Sequence, residues 1–153
     1  MRASVCRFMN TYGPGDTHRS RLVPRALSLL AAGEPYDFGD RDDGSTRLDF
    51  LYVGDMAGAY LATAEHLERA PGDVFNFGSG RCTGIREVAV LTSQIYDGVD
   101  REPIFHGTPR RPSKQKWLDI SRARSVLGWR PTVDLDEGLT HTVRWHRERN
   151  GRP

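Results

Sequence analysis

The chain has 153 residues, of which 37% are hydrophobic and 27% are charged, and its formal net charge is +2. This length and balance predict one soluble globular domain with a core of its own, and they give no indication of nucleic-acid binding. No run approaches the roughly 18 apolar residues of a membrane-spanning helix, and no secretory segment follows Met1, so we expect a cytoplasmic protein. Cys6 and Cys82 follow neither a disulfide nor a zinc pattern.

The first predicted element is a strand over residues 5–9, which ends at Asn10 and is followed by the turn Tyr12-Gly13-Pro14-Gly15. Its apolar residues are typical of a strand that is buried on both faces, and proline and glycine stop it. Open α/β sheets bind ligands beyond the carboxyl ends of their strands, so this turn is a candidate binding site. An ordinary strand-to-loop exit explains the same pattern. The strand has no obvious parallel neighbour in this chain, which predicts exposed apolar edges and association.

A first helix is predicted from the apolar spacing between Leu22 and Ala31, with Ser20 as its cap and Gly33 at its end. Short strands are predicted over residues 36–38 and 47–53. Asp55 is the predicted cap of a second helix, whose apolar positions are Ala57, Tyr60, Leu61, Ala64 and Leu67.

The second half of the chain continues the alternation. It contains a predicted strand over residues 74–77, a predicted helix capped by Thr83 and a predicted short strand over residues 103–106. Ser121 and Gly128 bound a short helix, and Asp134 with Glu137 has capping-box spacing before the last one. Mixed strands and helices in one unit predict an α/β protein, or an α+β protein with a small sheet.

Catalytic and cofactor motifs are absent from the sequence. Residues 78–84, GSGRCTG, follow a strand and precede a helix, but their glycine spacing does not match a dinucleotide-binding turn. The five histidines have no metal-ligand spacing. None of the five tyrosines is followed four residues later by lysine, the pair in which the cation lowers the phenol's pKa for acid/base chemistry.

Five segments, in this order, nevertheless resemble one family: RFMNTYGPGD, RLVPRAL, LDFLYVGDMAGAYLAT, VFNFGSG and LDISRARSVLGWRPTVDLDEGL. They are similar to the C-terminal half of NAD-dependent nucleotide-sugar epimerases and dehydratases, which are extended short-chain dehydrogenases. The resemblance implies an α/β fold made of the last strands of a Rossmann-type sheet plus a small mixed α/β substrate-binding domain. Residues 1–19 would be the remnant of the Rossmann sheet and its exit loop. Residues 20–153 would be mainly the nucleotide-sugar-binding domain, and the N-terminal NAD-binding part would be lacking.

The same resemblance implies roles for individual residues. Asn10 would bond the substrate's diphosphate, and the backbone near Thr11 would lie beside the nicotinamide of NAD. The remaining implied substrate contacts are Arg21, Leu22 and Val23 at the base and phosphates, Phe38 beside the base, Arg47 at a phosphate and Arg111 at the ribose or diphosphate. Many members carry the phosphate-binding arginine one position later than Arg47, where this chain has Leu48. No catalytic or metal-binding residue is implied.

The predicted function is that of the nucleotide-sugar-binding portion of an NAD-dependent 4-epimerase or 4,6-dehydratase, inactive by itself. Its expected partners are a nucleotide-diphosphate sugar and a separate chain that supplies the NAD-binding half, with no nucleic acid and no membrane. Two alternatives stay open: a non-catalytic module that binds a nucleotide sugar or a protein, and a truncated or split-gene remnant.

Overall fold

The computed structural model describes residues 2–69, 71–109 and 112–151. Within them the strands are β1 (Val5–Phe8), β2 (Asn10–Tyr12), β3 (Arg47–Leu48), β4 (Phe50–Tyr52), β5 (Val74–Phe77), β6 (Thr83–Gly84) and β7 (Gln115–Lys116). The helices are α1 (Leu22–Ala32), α2 (Val53–His66), α3 (Ile85–Asp97), α4 (Ser121–Leu127) and α5 (Leu135–Arg149). The α/β class is confirmed. Among the described helices, none has the length and apolarity that crossing a bilayer requires.

The strands form three small sheets. β1 pairs in parallel with β5, and β2 pairs in parallel with β4. The third sheet has the order β6-β3-β7, in which β3 is antiparallel to β6 and parallel to β7. The prediction that the first strand has no parallel neighbour is therefore wrong. On its other side, β1 has no partner within the described part of the chain.

Two predicted strands differ from the structure, because the chain changes sheets directly after one of them and within the other. The first ends at Phe8, and Asn10 begins β2 instead of ending the strand. The run over residues 47–53 is interrupted at Asp49, so that β3 and β4 pair with different partners. The predicted strands near residues 37 and 104 amount to one isolated bridge between Asp37 and Ile104. Strand propensity continues past both of these points, so it does not show where the chain changes sheets.

The predicted caps of the first three helices are wrong. α1 begins after Arg21, α2 after Tyr52 and α3 after Gly84, and none of these three residues has a side chain that caps its helix. Ser20 Oγ is instead 2.9 Å from His18 Nδ1. Thr83 belongs to β6.

Caps near the end of the chain agree better with the pattern. Asp134 is the N-cap of α5, and its side chain accepts a hydrogen bond of 2.9 Å from Glu137 N. Ser121 is the first residue of α4 rather than its cap. Gly33 and Gly128 end α1 and α4 as predicted, with φ values of 68° and 64°. Glycine adopts this left-handed conformation without the strain of a Cβ.

Helix α2 packs through a face that its apolar residues did not predict. Its buried residues are Asp55, Ala59 and Thr63, whereas Tyr60 and Leu61 are exposed. The Asp55 carboxylate accepts hydrogen bonds from Thr132 N at 2.9 Å, Thr132 Oγ1 at 2.8 Å and Val133 N at 3.1 Å. Asp55 therefore joins the first turn of α2 to the segment before α5. This contact places the face with Asp55, Ala59 and Thr63 toward the interior.

The core has two main clusters. One lies among β2, β4, α1, α3 and α5 and includes Tyr12, Leu27 and Leu139. The other lies among β1, β5, α2 and α4 and includes Phe75, Phe77, Ala59 and Trp129. A smaller cluster of Ala26, Tyr36, Phe38 and Ala89 packs α1 against α3. The chain passes from one main cluster to the other at the junction of β1 and β2.

Candidate functional site

A cleft of about 920 Å³ opens at the junction of β1 and β2. The turn after β2 and the start of α1 form one side of it. Its polar lining consists of Asn10, Thr11, Asp16, Ser20 and Arg21, and its apolar lining includes Met9, Leu48, Phe50, Val53 and Met56. The structure thus brings five predicted site residues together around one space: Asn10, Thr11, Arg21, Leu22 and Val23.

Asn10 is fixed by a neighbouring strand. Its backbone N–H and its side-chain Nδ2 both donate to the carbonyl oxygen of Asp49, at 3.3 and 3.2 Å. An amide nitrogen carries two hydrogens and the amide oxygen accepts two bonds, so one N–H and Oδ1 remain for a ligand. Asn10 therefore offers an oriented donor at the floor of the cleft.

The N-terminus of α1 supplies further donors. Leu22 and Val23 are its first residues, and their N–H groups have no intrahelical acceptor. Pro24 carries no N–H, and the first turn contains no acidic residue. The positive end of the helix dipole is therefore uncompensated within its own first turn, which favours an anion at this place.

Arg21 and Asp16 are the charged residues of the described cleft lining. Arg21 Nη1 lies 3.2 Å from Asp16 Oδ2, with the Arg21 side chain 61% exposed and that of Asp16 14% exposed. The cation is thus held at the entrance by a nearly buried carboxylate.

Two predicted site residues of the described chain, Phe38 and Arg47, do not line this cleft. Phe38 is buried and stacks on Phe105, with ring centroids 5.1 Å apart. Arg47 donates through Nη2 to the Cys82 carbonyl at 2.9 Å and pairs with Glu87 at 3.4 Å. Leu48 lines the cleft instead, because successive residues of a strand point to opposite faces. Arg111 lies outside the described residues.

Asp49 was missed by the sequence reasoning, and it explains the glycine-rich turn. Its buried Oδ1 accepts from Ser79 N and Ser79 Oγ, both at 2.7 Å, and Oδ2 accepts from Leu118 N at 3.3 Å. A Cβ at Gly78 would overlap this carboxylate. The turn is thus filled by the protein's own anion, and it does not fit the pyrophosphate of NAD. The signal in the sequence was a lone aspartate inside an apolar run.

Tyr12 borders the cleft, but its hydroxyl is buried and keeps its proton. Its hydroxyl donates to the carbonyl of Leu135 at 3.4 Å, and the residue is 4% exposed. Burial, followed by the nearby charge of Asp134, raises the pKa of the phenol well above its ordinary value. This tyrosine therefore contributes to packing rather than to proton transfer.

The sequence matches known proteins over almost its whole length. Residues 1–78 match the NAD dependent epimerase/dehydratase family. The UDP-glucose 4-epimerase of Mycolicibacterium smegmatis is 35% identical over 144 residues, which are 92% of this chain and 44% of that protein. The chain therefore spans less than half the length of this relative.

Solved structures give the same relationship. The UDP-glucose 4-epimerase of Thermotoga maritima, solved with UDP-glucose, superimposes with a TM-score of 0.83 at 31% identity, over 98% of this chain and 47% of that one. MoeE5, solved with UDP-glucuronic acid and NAD, gives a TM-score of 0.81 at 27% identity, over 95% and 47% of the two chains. NAD is the cofactor of the intact family, as the resemblance implied. The chain belongs to the NAD-dependent epimerase/dehydratase family of extended short-chain dehydrogenases.

Proposed function

We propose that this chain is the nucleotide-sugar-binding portion of an NAD-dependent nucleotide-sugar 4-epimerase or 4,6-dehydratase. The observation that carries the proposal is the cleft in which Asn10, Arg21 and the N-terminus of α1 converge. Membership of the family and the ligands of its solved relatives support this assignment.

The polar and the apolar parts of the cleft lining suit the two parts of such a ligand. Asn10 Nδ2, the free N–H groups of Leu22 and Val23, and the Arg21 guanidinium are donors for a diphosphate. Leu48 and Phe50 belong to the apolar lining, against which a ring can pack. The volume of about 920 Å³ lies within the roughly 300–1,000 Å³ of small-molecule sites.

In the intact enzyme, NAD would supply the oxidation of the sugar at C4 by accepting its hydride. In this proposal the residues described here bind and orient that sugar, and the backbone at Thr11 borders the cofactor's ring. The 153 residues contain no Tyr-x-x-x-Lys pair, and Asp49 fills their glycine-rich turn. We therefore propose that proton transfer and cofactor phosphate binding are supplied by residues outside this sequence, on the same polypeptide or on a separate chain.

Titration calorimetry of the 153-residue chain with UDP-, GDP-, dTDP- and CDP-sugars tests the proposal. We expect saturable binding of at least one of them, and roughly 10- to 150-fold weaker binding by Asn10→Ala, since a hydrogen bond to a charged group contributes about 1.5–3 kcal/mol. Asn76→Ala is the matched control. Asn76 Nδ2 also donates to a carbonyl, that of Asp119 at 3.3 Å, but it lies outside the cleft lining, so its loss should leave the affinity unchanged.

The same preparation, supplied with NAD, should show no epimerase or dehydratase activity. If a folded sample gives no binding heat with any of the four kinds of nucleotide sugar, the binding proposal is contradicted. Turnover by the chain alone contradicts the assignment of proton transfer to residues outside it.

A further inference from the structure

Three local hydrogen bonds hold the loop between β2 and α1, and two of them involve Asp16. Asp16 N donates to the carbonyl of Gly13 at 3.3 Å, and Asp16 Oδ1 accepts from His18 N at 3.1 Å. The His18 carbonyl in turn accepts from Arg21 N at 2.9 Å. The Asp16 carboxylate is therefore anchored in place by its own loop.

The second oxygen of that carboxylate, Oδ2, binds the Arg21 side chain. Asp16 Oδ2 accepts from Arg21 Nη1 at 3.2 Å, and the Asp16 side chain is 14% exposed against 61% for Arg21. A guanidinium has five N–H donors, and within the described chain this contact uses only Nη1. Nη2 and Nε remain available at the entrance of the cleft.

We propose that Asp16 is a positioning residue that orders the Arg21 guanidinium so that its unused edge binds a phosphate of a nucleoside diphosphate. This inference rests on the proposed function of the cleft. Arginine loses much rotamer freedom when it is immobilised, and a partner that restrains it beforehand removes part of that cost from the binding step. The carboxylate also fixes which edge of the planar fork faces the ligand.

Asp16 could act in the opposite direction if its charge repelled the ligand. The two effects predict opposite changes on removal of the carboxylate: loss of positioning weakens binding, whereas loss of repulsion strengthens it. The sign of the change in affinity therefore decides between them.

The test is a double-mutant cycle on the 153-residue chain, titrated by calorimetry with UDP, GDP, dTDP and CDP. We expect Asp16→Ala to bind the preferred nucleotide about two- to tenfold more weakly, the range that follows from ordering one rotamer-rich side chain. Arg21→Ala should bind at least as weakly, and adding Asp16→Ala to it should cause no further loss. Asp16→Asn keeps one oxygen acceptor, which can serve His18 N or Arg21 Nη1 but not both, so it should restore only part of the affinity.

Each other outcome overturns the inference. If Asp16→Ala binds as tightly as the unmodified chain or more tightly, the carboxylate does not position Arg21. If Asp16→Ala weakens binding equally in the Arg21→Ala background, its role is in the loop and not in the arginine. If the unmodified chain binds none of the four nucleotides, the proposed function fails as well. Thermal unfolding confirms that each variant is folded, and Asp16→Asn forms a second cycle if Asp16→Ala is not.

Discussion

At the scale of single residues, buried carboxylates join segments that are distant in sequence. Asp49 is fully buried, and three donors from residues 79 and 118 surround its carboxylate. Asp55 likewise receives the backbone N–H groups of Thr132 and Val133. A buried carboxylate is tolerated where hydrogen bonds replace its contacts with water. If the carboxylate is removed, the N–H and O–H groups that donated to it lose their partners.

We expect Asp49→Ala to lower the free energy of unfolding by about 3 kcal/mol, because it strands the N–H groups of Ser79 and Leu118. Urea denaturation measures the change. Asp100→Ala removes an exposed carboxylate and should alter stability by less than about 0.5 kcal/mol. If the two variants had equal free energies of unfolding, the hydrogen bonds that Asp49 accepts from Ser79 and Leu118 would not contribute to stability.

At the scale of the elements, contacts decide which face of each helix is buried. The exposed Tyr60 ring of α2 packs on Phe8 of β1, with centroids 5.0 Å apart, while Ala59 and Thr63 lie inside. Helix α5 approaches β2 and β4 through Gly138, where a Cβ would overlap the Tyr12 hydroxyl and lie 3.0 Å from Tyr52 Cδ2. The close approach of this helix requires a residue without a side chain.

Two helical glycines form a matched pair for testing this close approach. Gly138→Ala should destabilise the protein by about 1–3 kcal/mol, because the added methyl group pushes α5 away from Tyr12. Gly58→Ala in α2 should stabilise it by about 0.5–1 kcal/mol, since the nearest atom would be 3.9 Å away and alanine favours a helix. Thermal and urea unfolding measure both. A gain in stability from Gly138→Ala would contradict the close approach.

At the scale of the whole molecule, two buried tyrosines, Tyr12 and Tyr36, lie in the clusters that join the helices and strands. Tyr12 lies in one main cluster, and Tyr36 donates to the carbonyl of Ala89 at 2.7 Å between α1 and α3. Burial is the largest cause that raises the pKa of both phenols, and the Arg101 charge partly opposes it at Tyr36. The folded state therefore keeps both hydroxyls protonated at alkaline pH.

The stability of the protein should fall as the pH rises above 10. Below the ordinary tyrosine pKa of 10.0 both states carry the protons, and the stabilisation is fully present. Above it the unfolded chain releases them and the folded chain does not, so the free energy of unfolding decreases by up to about 1.4 kcal/mol per pH unit for each tyrosine.

Urea unfolding between pH 8 and pH 11.5 measures that slope. Tyr36→Phe should remove its share of the decrease, while costing about 1 kcal/mol at neutral pH for the lost hydrogen bond. Tyr60→Phe, at an exposed ring, is the control and should leave the slope as it is. An unchanged slope in Tyr36→Phe would refute the assignment to this tyrosine.

The division into residues 1–19 and 20–153 remains a proposal at this scale. In the described chain, β1 pairs with β5 and β2 pairs with β4, so the first residues are joined to strands well beyond residue 20.

The sequence by itself determined the α/β class, the strand over residues 74–77, the glycine ends of α1 and α4, the Asp134 cap and the family. These features depend on local spacing, on backbone conformation and on hydrogen bonds between residues a few positions apart. Five of the predicted site residues also lie together, because they come from two short segments on either side of one turn.

Only the tertiary structure decided where the strands change sheets, which face of α2 is buried and which charges meet in the cleft. Asp49 interrupts its strand because it binds residues 30 and 69 positions away, and Asp55 orients α2 through residues 77 and 78 positions away. The pairing of Asp16 with Arg21 depends on how the loop folds on itself. Such contacts leave no periodic pattern in the chain, because the energy of a buried charge depends on partners that only folding brings near.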